Sequence, residues 1–320
     1  MADSKKTKRA PRERKRLAGR LKDLVTNWPL YILLVPGLLF VLIFSYGPMV
    51  GIVIAFEDFN PIQGLFGSPF VGFQNFQIFF EGQQWLQVTF NTFFLNALFI
   101  ASGTVASLFI AILLTELGKS VLVRVVQTVV ILPNFISWPI IAMIALVFLQ
   151  SPQGVVDELM TRFHLPPTQF YSDPNVWPVT LMILNTWKGA GFGAIIYMAS
   201  IMGIDKEMYE AARIDGATRM QMIFRITLPM LRPMIAILLL LSVGGMFKGN
   251  TDMIYSMVGN NSLLYSTTNV IDTYVFRNVL NGIGFGINGA VGLMQSLLGF
   301  ALVLLMNWLA KKIDPDYALF

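Results

Sequence analysis

Three stretches of this chain carry no charged residue over lengths that an ordinary soluble domain does not sustain. They run from 24 to 56, from 82 to 115 and from 125 to 156, or 33, 34 and 32 residues. About 20 apolar residues suffice to cross the hydrocarbon core of a bilayer as a helix. Apolar runs later in the chain extend the pattern. It predicts an all-α polytopic membrane protein with six transmembrane helices near 29–55, 88–115, 125–149, 176–203, 233–255 and 288–310. Only 13% of the 320 residues are charged, against roughly 25% in soluble domains.

The sparse charges are unevenly placed. Ten Lys/Arg fall in the first 22 residues, two between 116 and 124, five between 204 and 232, and two at Lys311 and Lys312. The other loops hold only Arg162, Lys248 and Arg277. Positive charge accumulates on the cytoplasmic side of short loops. Both termini and the 204–232 segment are therefore expected in the cytoplasm, with loops 56–87 and 150–175 outside. The basic tail, 1–28, reads as an anchor that touches anionic membrane lipid rather than a nucleic-acid arm. The apolar run after it exceeds the roughly 7–15 residues of a signal-peptide core, so the first span is expected to stay in the membrane. Residues 311–320 form a short C-terminal tail.

Several chemistries are excluded. There is no cysteine and one histidine, His164, so thiolate catalysis and a multi-histidine metal site are out; no metal site is expected. No GxxxxGK[ST] or GxSxG occurs. The Gly-rich pieces "GAGFG" (189–193) and "NGIGFGING" (281–289) read as close-packing positions in membrane helices.

The longest polar stretch in the apolar body is "EAARIDGATRMQMIFRITLP", 210–229. Asp205 is placed to cap a helix, and Gly216 can end it in a left-handed conformation. Thr218 can cap a second helix, and Pro229 and Pro233 turn the chain into the fifth span. Paired alanines leave little to grip lipid but let another protein approach the backbone. A bare interfacial helix remains the other reading.

The run Glu210-Ala211-Ala212, Gly216, Ile226, Leu228-Pro229 resembles the signature of the permease subunits of binding-protein-dependent ABC importers. "GIVIAFEDFNPIQGLFGSPFVGFQNF" (51–76), "WKGAGFGAIIYMASIMGIDKEMYEAARIDGA" (187–217) and "NVIDTYVFRNVL" (269–280) are similar to the oligosaccharide and polysaccharide permeases of the carbohydrate importers. The resemblance implies a type I importer transmembrane domain over 29–310 in a prokaryotic cell membrane. It makes 204–232 a coupling segment: Glu210, Ala211, Ala212, Arg213, Asp215 and Gly216 would meet a groove on an ATPase subunit. It implies a second permease, two ABC ATPases that bind the ATP and Mg, and an extracytoplasmic solute-binding protein. This chain would hold no cofactor and catalyse no reaction.

Two lysines fall at predicted membrane depth, where ionisable groups are functional candidates. Lys188 is eighteen residues from Lys206 and Lys248 sixteen from Arg232, or about 27 and 24 Å along a helix. Asn185, Trp187, Asn250 and Asp252 share that level. One reading is a substrate path for an oligosaccharide, the lysines favouring acidic, uronate-containing sugars. The other pairs Lys248 with Asp252 at i,i+4 and leaves Lys188 to snorkel or pair elsewhere. Two rival functions stand beside the importer: a self-sufficient secondary sugar transporter, expected to show repeats or matched broken helices, and an intramembrane glycolipid enzyme, for which Asp252 is thin support.

Overall fold

The computed structural model describes residues 26–118, 120–282, 284–314 and 317–318. Most of the 1–28 tail, Lys119 and part of 311–320 lie outside them. The chain divides into two compact units, Met1–Ile54 and Ala55–Phe320. Among the described residues five helices are long and apolar enough to cross a membrane, or six if one bent pair counts as a single span.

In the first unit, α1 (Trp28–Val41) opens with Pro29 in its first turn and carries apolar residues around its whole circumference. That distribution suits a helix surrounded by lipid. It continues through a wider turn at Leu42–Tyr46 into the tighter turns of Gly47–Phe56.

The second unit begins at Ala55, just before the loop that follows Phe56. An isolated antiparallel bridge, Glu57 with Phe70, closes it. The Asn75 side-chain amide, on α2 (Gln74–Glu81), donates to Ala55 O and Glu57 O at 3.0 and 2.9 Å. The spine of the unit is α3 (Gln84–Glu116), 33 residues or about 50 Å. Its longest partner is α7 (Trp177–Met202). Leu95 and Phe99 of α3 and Trp177 and Leu181 of α7 share one core cluster. Ala111, Ala194, Tyr197 and Ile201 share another near the opposite end of the pair.

The expected span at 125–149 is corrected. It consists of α4 (Val121–Ile131), a tight turn at Leu132–Phe135, and α5 (Trp138–Leu149), bent by 100°. The cause lies in "LPNFISWP": Pro133 follows α4 and Pro139 starts α5. Neither proline can donate to the preceding turn. So the chain does contain one broken helix, where the sequence suggested none. After α6 (Val155–Arg162) the chain enters α7.

The expected fifth span, 233–255, is also corrected. After α8 (Lys206–Ile214) and α9 (Arg219–Met222), a wider turn at Ile223–Thr227 leads into α10 (Leu228–Gly244). Pro229 lies in the first turn of α10 and Pro233 is carried inside the helix. The helix stops at Gly244-Gly245, so the span ends well short of 255.

Beyond it come short helices: α11 (Thr251–Val258), α12 (Tyr265–Thr268) and α13 (Ile271–Leu280). Loose backbone groups in and just before them are satisfied from α3. Asn91 Nδ2 donates to Ser266 O and Asn269 O at 3.1 and 3.0 Å. Asn96 Nδ2 donates to Met246 O and Lys248 O at 2.9 and 3.1 Å. Thr92 Oγ1 accepts from Ile271 N. Irregular backbone in a membrane protein persists only where other groups take its hydrogen bonds. The last span, α14 (Phe285–Ile313), packs on α10 and α13.

Candidate functional site

The expected coupling segment folds as its caps dictate. The Asp205 carboxylate accepts from Glu207 N at 3.0 Å and starts α8. Gly216 has φ +78°. Ala217 N donates to Ala212 O at 2.9 Å and Gly216 N to Arg213 O at 3.1 Å, the paired bonds of a left-handed helix end. Thr218 and Gln221 form a capping box that starts α9. The Tyr209 hydroxyl meets Thr227 Oγ1 at 2.9 Å and ties α8 to the root of α10, while Met222 is buried beneath. Facing out are Glu210, Ala211, Arg213, Asp215 and Gly216, with Ala212 half-buried. Ile214 is 87% exposed and Met220 63%. A surface of small, charged and exposed apolar groups thus stands on a capped helix–turn–helix.

The six substrate-path candidates do not share one cavity. Asn185 lines a groove of about 300 Å³ between α3, α7 and α10, with Thr104, Ser107 and Ser242. Trp187 lines an apolar groove of about 420 Å³ with Phe148 and Ile183. Lys188 Nζ donates to Asn134 O at 2.8 Å and lies 5.4 Å from the Trp138 ring centroid. It therefore satisfies a carbonyl freed at the α4–α5 bend. Asn250 caps α11 by accepting from Met253 N. Asp252 is exposed in the first turn of α11.

Lys248 lies outside any helix, so the register for an i,i+4 pair with Asp252 is absent. Its height along a continuous helix also no longer applies. Lys248 instead lines a cavity of about 540 Å³ with Asp272, Gln295, Phe247 and Ser296. Gln295 Nε2 donates to Asp272 Oδ1 at 2.7 Å and to Phe247 O. Burial raises the Asp272 pKa, opposed by the bonds from Gln295 and the Gly249 backbone and by the charge of Lys248. The cavity offers a cation, a carboxylate, an amide and an aromatic ring, the groups that bind a polar ring compound.

Asp272 and Gln295 were not singled out in the sequence. Gln295 was visible as an amide within the last apolar run, and Asp272 lies inside the "NVIDTYVFRNVL" stretch.

Residues 103–318 match the family described as "Binding-protein-dependent transport system inner membrane component". The chain belongs to this family. As one of these inner-membrane permeases it is a multi-pass, non-enzymatic transmembrane component. The permease is 37% identical over 287 residues to Protein LplB of Bacillus subtilis (strain 168), covering 90% of each chain. It is 35% identical over 305 residues to the polygalacturonan/rhamnogalacturonan transport system permease protein YteP of the same organism, covering 95% of this chain and 93% of YteP. Its fold is similar to a chain of a bacterial ABC transporter involved in the import of the acidic polysaccharide alginate. There the TM-score is 0.84 at 34% identity, covering 92% of this chain and 99% of that one. A chain of a bacterial alginate transporter in complex with an alginate pentasaccharide-bound periplasmic protein gives 0.83, also at 34% identity, with 91% and 97% covered. The type I importer fold expected from the sequence is the fold observed. The secondary-transporter alternative finds no support, since the family is defined by dependence on a binding protein.

Proposed function

We propose that this permease passes an acidic, uronate-containing oligosaccharide from an extracytoplasmic binding protein to the cytoplasm by alternating access. The observation that carries the substrate class is 34–35% identity over more than nine-tenths of the chain to permeases named for polygalacturonan/rhamnogalacturonan and alginate. The Lys248–Asp272–Gln295 cavity supports it, because Lys248 can pair with a uronate carboxylate while Gln295 and Ser296 meet hydroxyls. Lys188 contributes less than the sequence suggested, since its ammonium already serves Asn134 O.

The transporter is completed by a second permease and two ABC ATPases, which bind the ATP and Mg. The exposed face of α8 and α9 docks on one ATPase through Glu210, Ala211, Ala212, Arg213, Asp215 and Gly216. Closure of the ATPase pair biases the permeases through contacts that differ between the inward- and outward-open states. The charges of Arg213, Arg219, Arg225, Arg232, Lys311 and Lys312 support a cytoplasmic position for this end and the C-terminus.

The test is uptake by the complete transporter in proteoliposomes. With binding protein outside and ATP available to the ATPases, trigalacturonate should accumulate and maltotriose should not. Lys248→Gln should lower trigalacturonate uptake about tenfold, the scale of one charge-assisted bond. Preference for maltotriose, or uptake without ATP, refutes the reading.

A further inference from the structure

A second polar cavity, of about 410 Å³, lies against the other side of α13. Arg277, Tyr265, Tyr274, Asn260, Asn278 and Asn281 line it. At about 100° per residue, Tyr274, Arg277, Asn278 and Asn281 fall on the helical side opposite Asp272. One short helix thus separates the Lys248 cavity from this one, and the two share no lining residue.

Arg277 is 8% exposed. Nη1 donates to Asn269 Oδ1 at 2.7 Å and Nη2 to Gly259 O at 2.9 Å. The guanidinium lies 4.2 Å from the Tyr265 ring centroid and 5.9 Å from that of Tyr255. All of these partners are formally neutral, and Nε is buried with no partner among the described residues. A buried cation normally sits against a carboxylate, because leaving it unpaired is costly. Here the rings and a carbonyl hold it in place beside an open polar cavity. Burial lowers its pKa, and the two tyrosines act against that shift.

The other lining groups narrow the ligand. Asn260, Asn278 and Asn281 supply amides that donate and accept together, which suits the hydroxyls of a sugar. Tyr265 and Tyr274 supply ring faces. The volume falls within the roughly 300–1,000 Å³ of small-molecule sites. Position adds a further constraint. Gln84, at the start of α3, also borders the cavity, whereas Ala111 near the far end packs with Ile201 and Leu231 next to α8. The separation is about 40 Å of helix. Asn96, which holds the Lys248 carbonyl, lies about 18 Å along from Gln84.

We propose that the Arg277 cavity is an outer subsite that takes the carboxylate of one uronate unit of the oligosaccharide before the chain reaches Lys248. This rests on the acidic-oligosaccharide reading above and adds a second, independent point of contact. A carboxylate from the binding protein would have the same chemistry, so the test leaves that protein out.

The experiment measures binding of trigalacturonate, and of its fully methyl-esterified form, to the complete permease–ATPase complex in nanodiscs without nucleotide or binding protein. Arg277→Gln should weaken trigalacturonate binding about tenfold or more. The neutral ester should change less than about twofold. Asn281→Asp is the companion variant, because Asn281 is exposed and the change adds a repelling charge without disturbing the Arg277 contacts. It should give the same selective loss even if the Arg277→Gln complex fails to assemble. Equal loss for acid and ester in either assembled variant, or no loss in Asn281→Asp, overturns the subsite. Lys248→Gln separates the two claims. If it weakens acid binding while Asn281→Asp does not, only the outer subsite falls. If the unaltered complex binds neither form, the acidic-oligosaccharide reading and the subsite fall together.

Discussion

The Lys188 ammonium is bonded to the Asn134 carbonyl at the bend between α4 and α5. Truncation to Met keeps the stem and removes the donor, leaving that carbonyl without a partner. Lys188→Met should cost about 1–3 kcal/mol and speed hydrogen exchange around 132–137; unchanged exchange there would show that the bend holds itself. Two glycines in the same helix make a matched pair. A Cβ at Gly191 would run into the Val130 carbonyl, which is backbone and cannot rotate away, whereas at Gly189 nothing lies within 4 Å. Gly191→Ala should therefore destabilise by about 1–3 kcal/mol, read as a lower melting temperature of the complex in detergent. Gly189→Ala should be neutral or slightly stabilising, since Ala is the better helix former. Equal shifts in the two would mean α4 can move off α7 freely.

Among elements, α8 and α9 were legible in the sequence because their signals are local. Asp205, Gly216 and Thr218 each act within six residues, and each makes its bond. Gly216→Ala places a side chain at φ +78°, at a cost of about 1–2 kcal/mol. The expected outcome is reduced ATPase docking with normal membrane insertion, measured by co-purification. The α4–α5 bend was half legible: Pro133 and Pro139 stood in view, but the uncharged run overrode them. The stretch from 245 to 284 was not legible. Its course depends on Asn91 reaching carbonyls 175 and 178 residues away, and no local pattern encodes a contact that distant. The Lys248–Asp272–Gln295 cavity inherits that opacity, because it forms only when those short helices are set down.

For the permease as a whole, the polar segment and the apolar body make separable demands. Glu210 is exposed, so Glu210→Arg should leave the chain folded in the membrane. It should still lower ATPase recovery in a mild-detergent pull-down by about tenfold, the effect of reversing a charge at an interface. Full recovery would remove Glu210 from the docking surface. The fold could be read from the uncharged runs, and the family from the 210–229 signature together with 51–76, 187–217 and 269–280. Of the groups proposed to hold the substrate only Lys248 was singled out, because the others come from elements whose meeting no local pattern encodes.

The side-chain amides of Asn91 and Asn96 also decide which substitutions this part of the protein tolerates. Both spend their N–H groups on backbone oxygens. A carboxylate in place of either amide would keep size and shape, yet it would swap a donor for a negative oxygen facing carbonyls. Such a change, invisible to packing, would loosen the backbone after α10 while leaving the long helices paired.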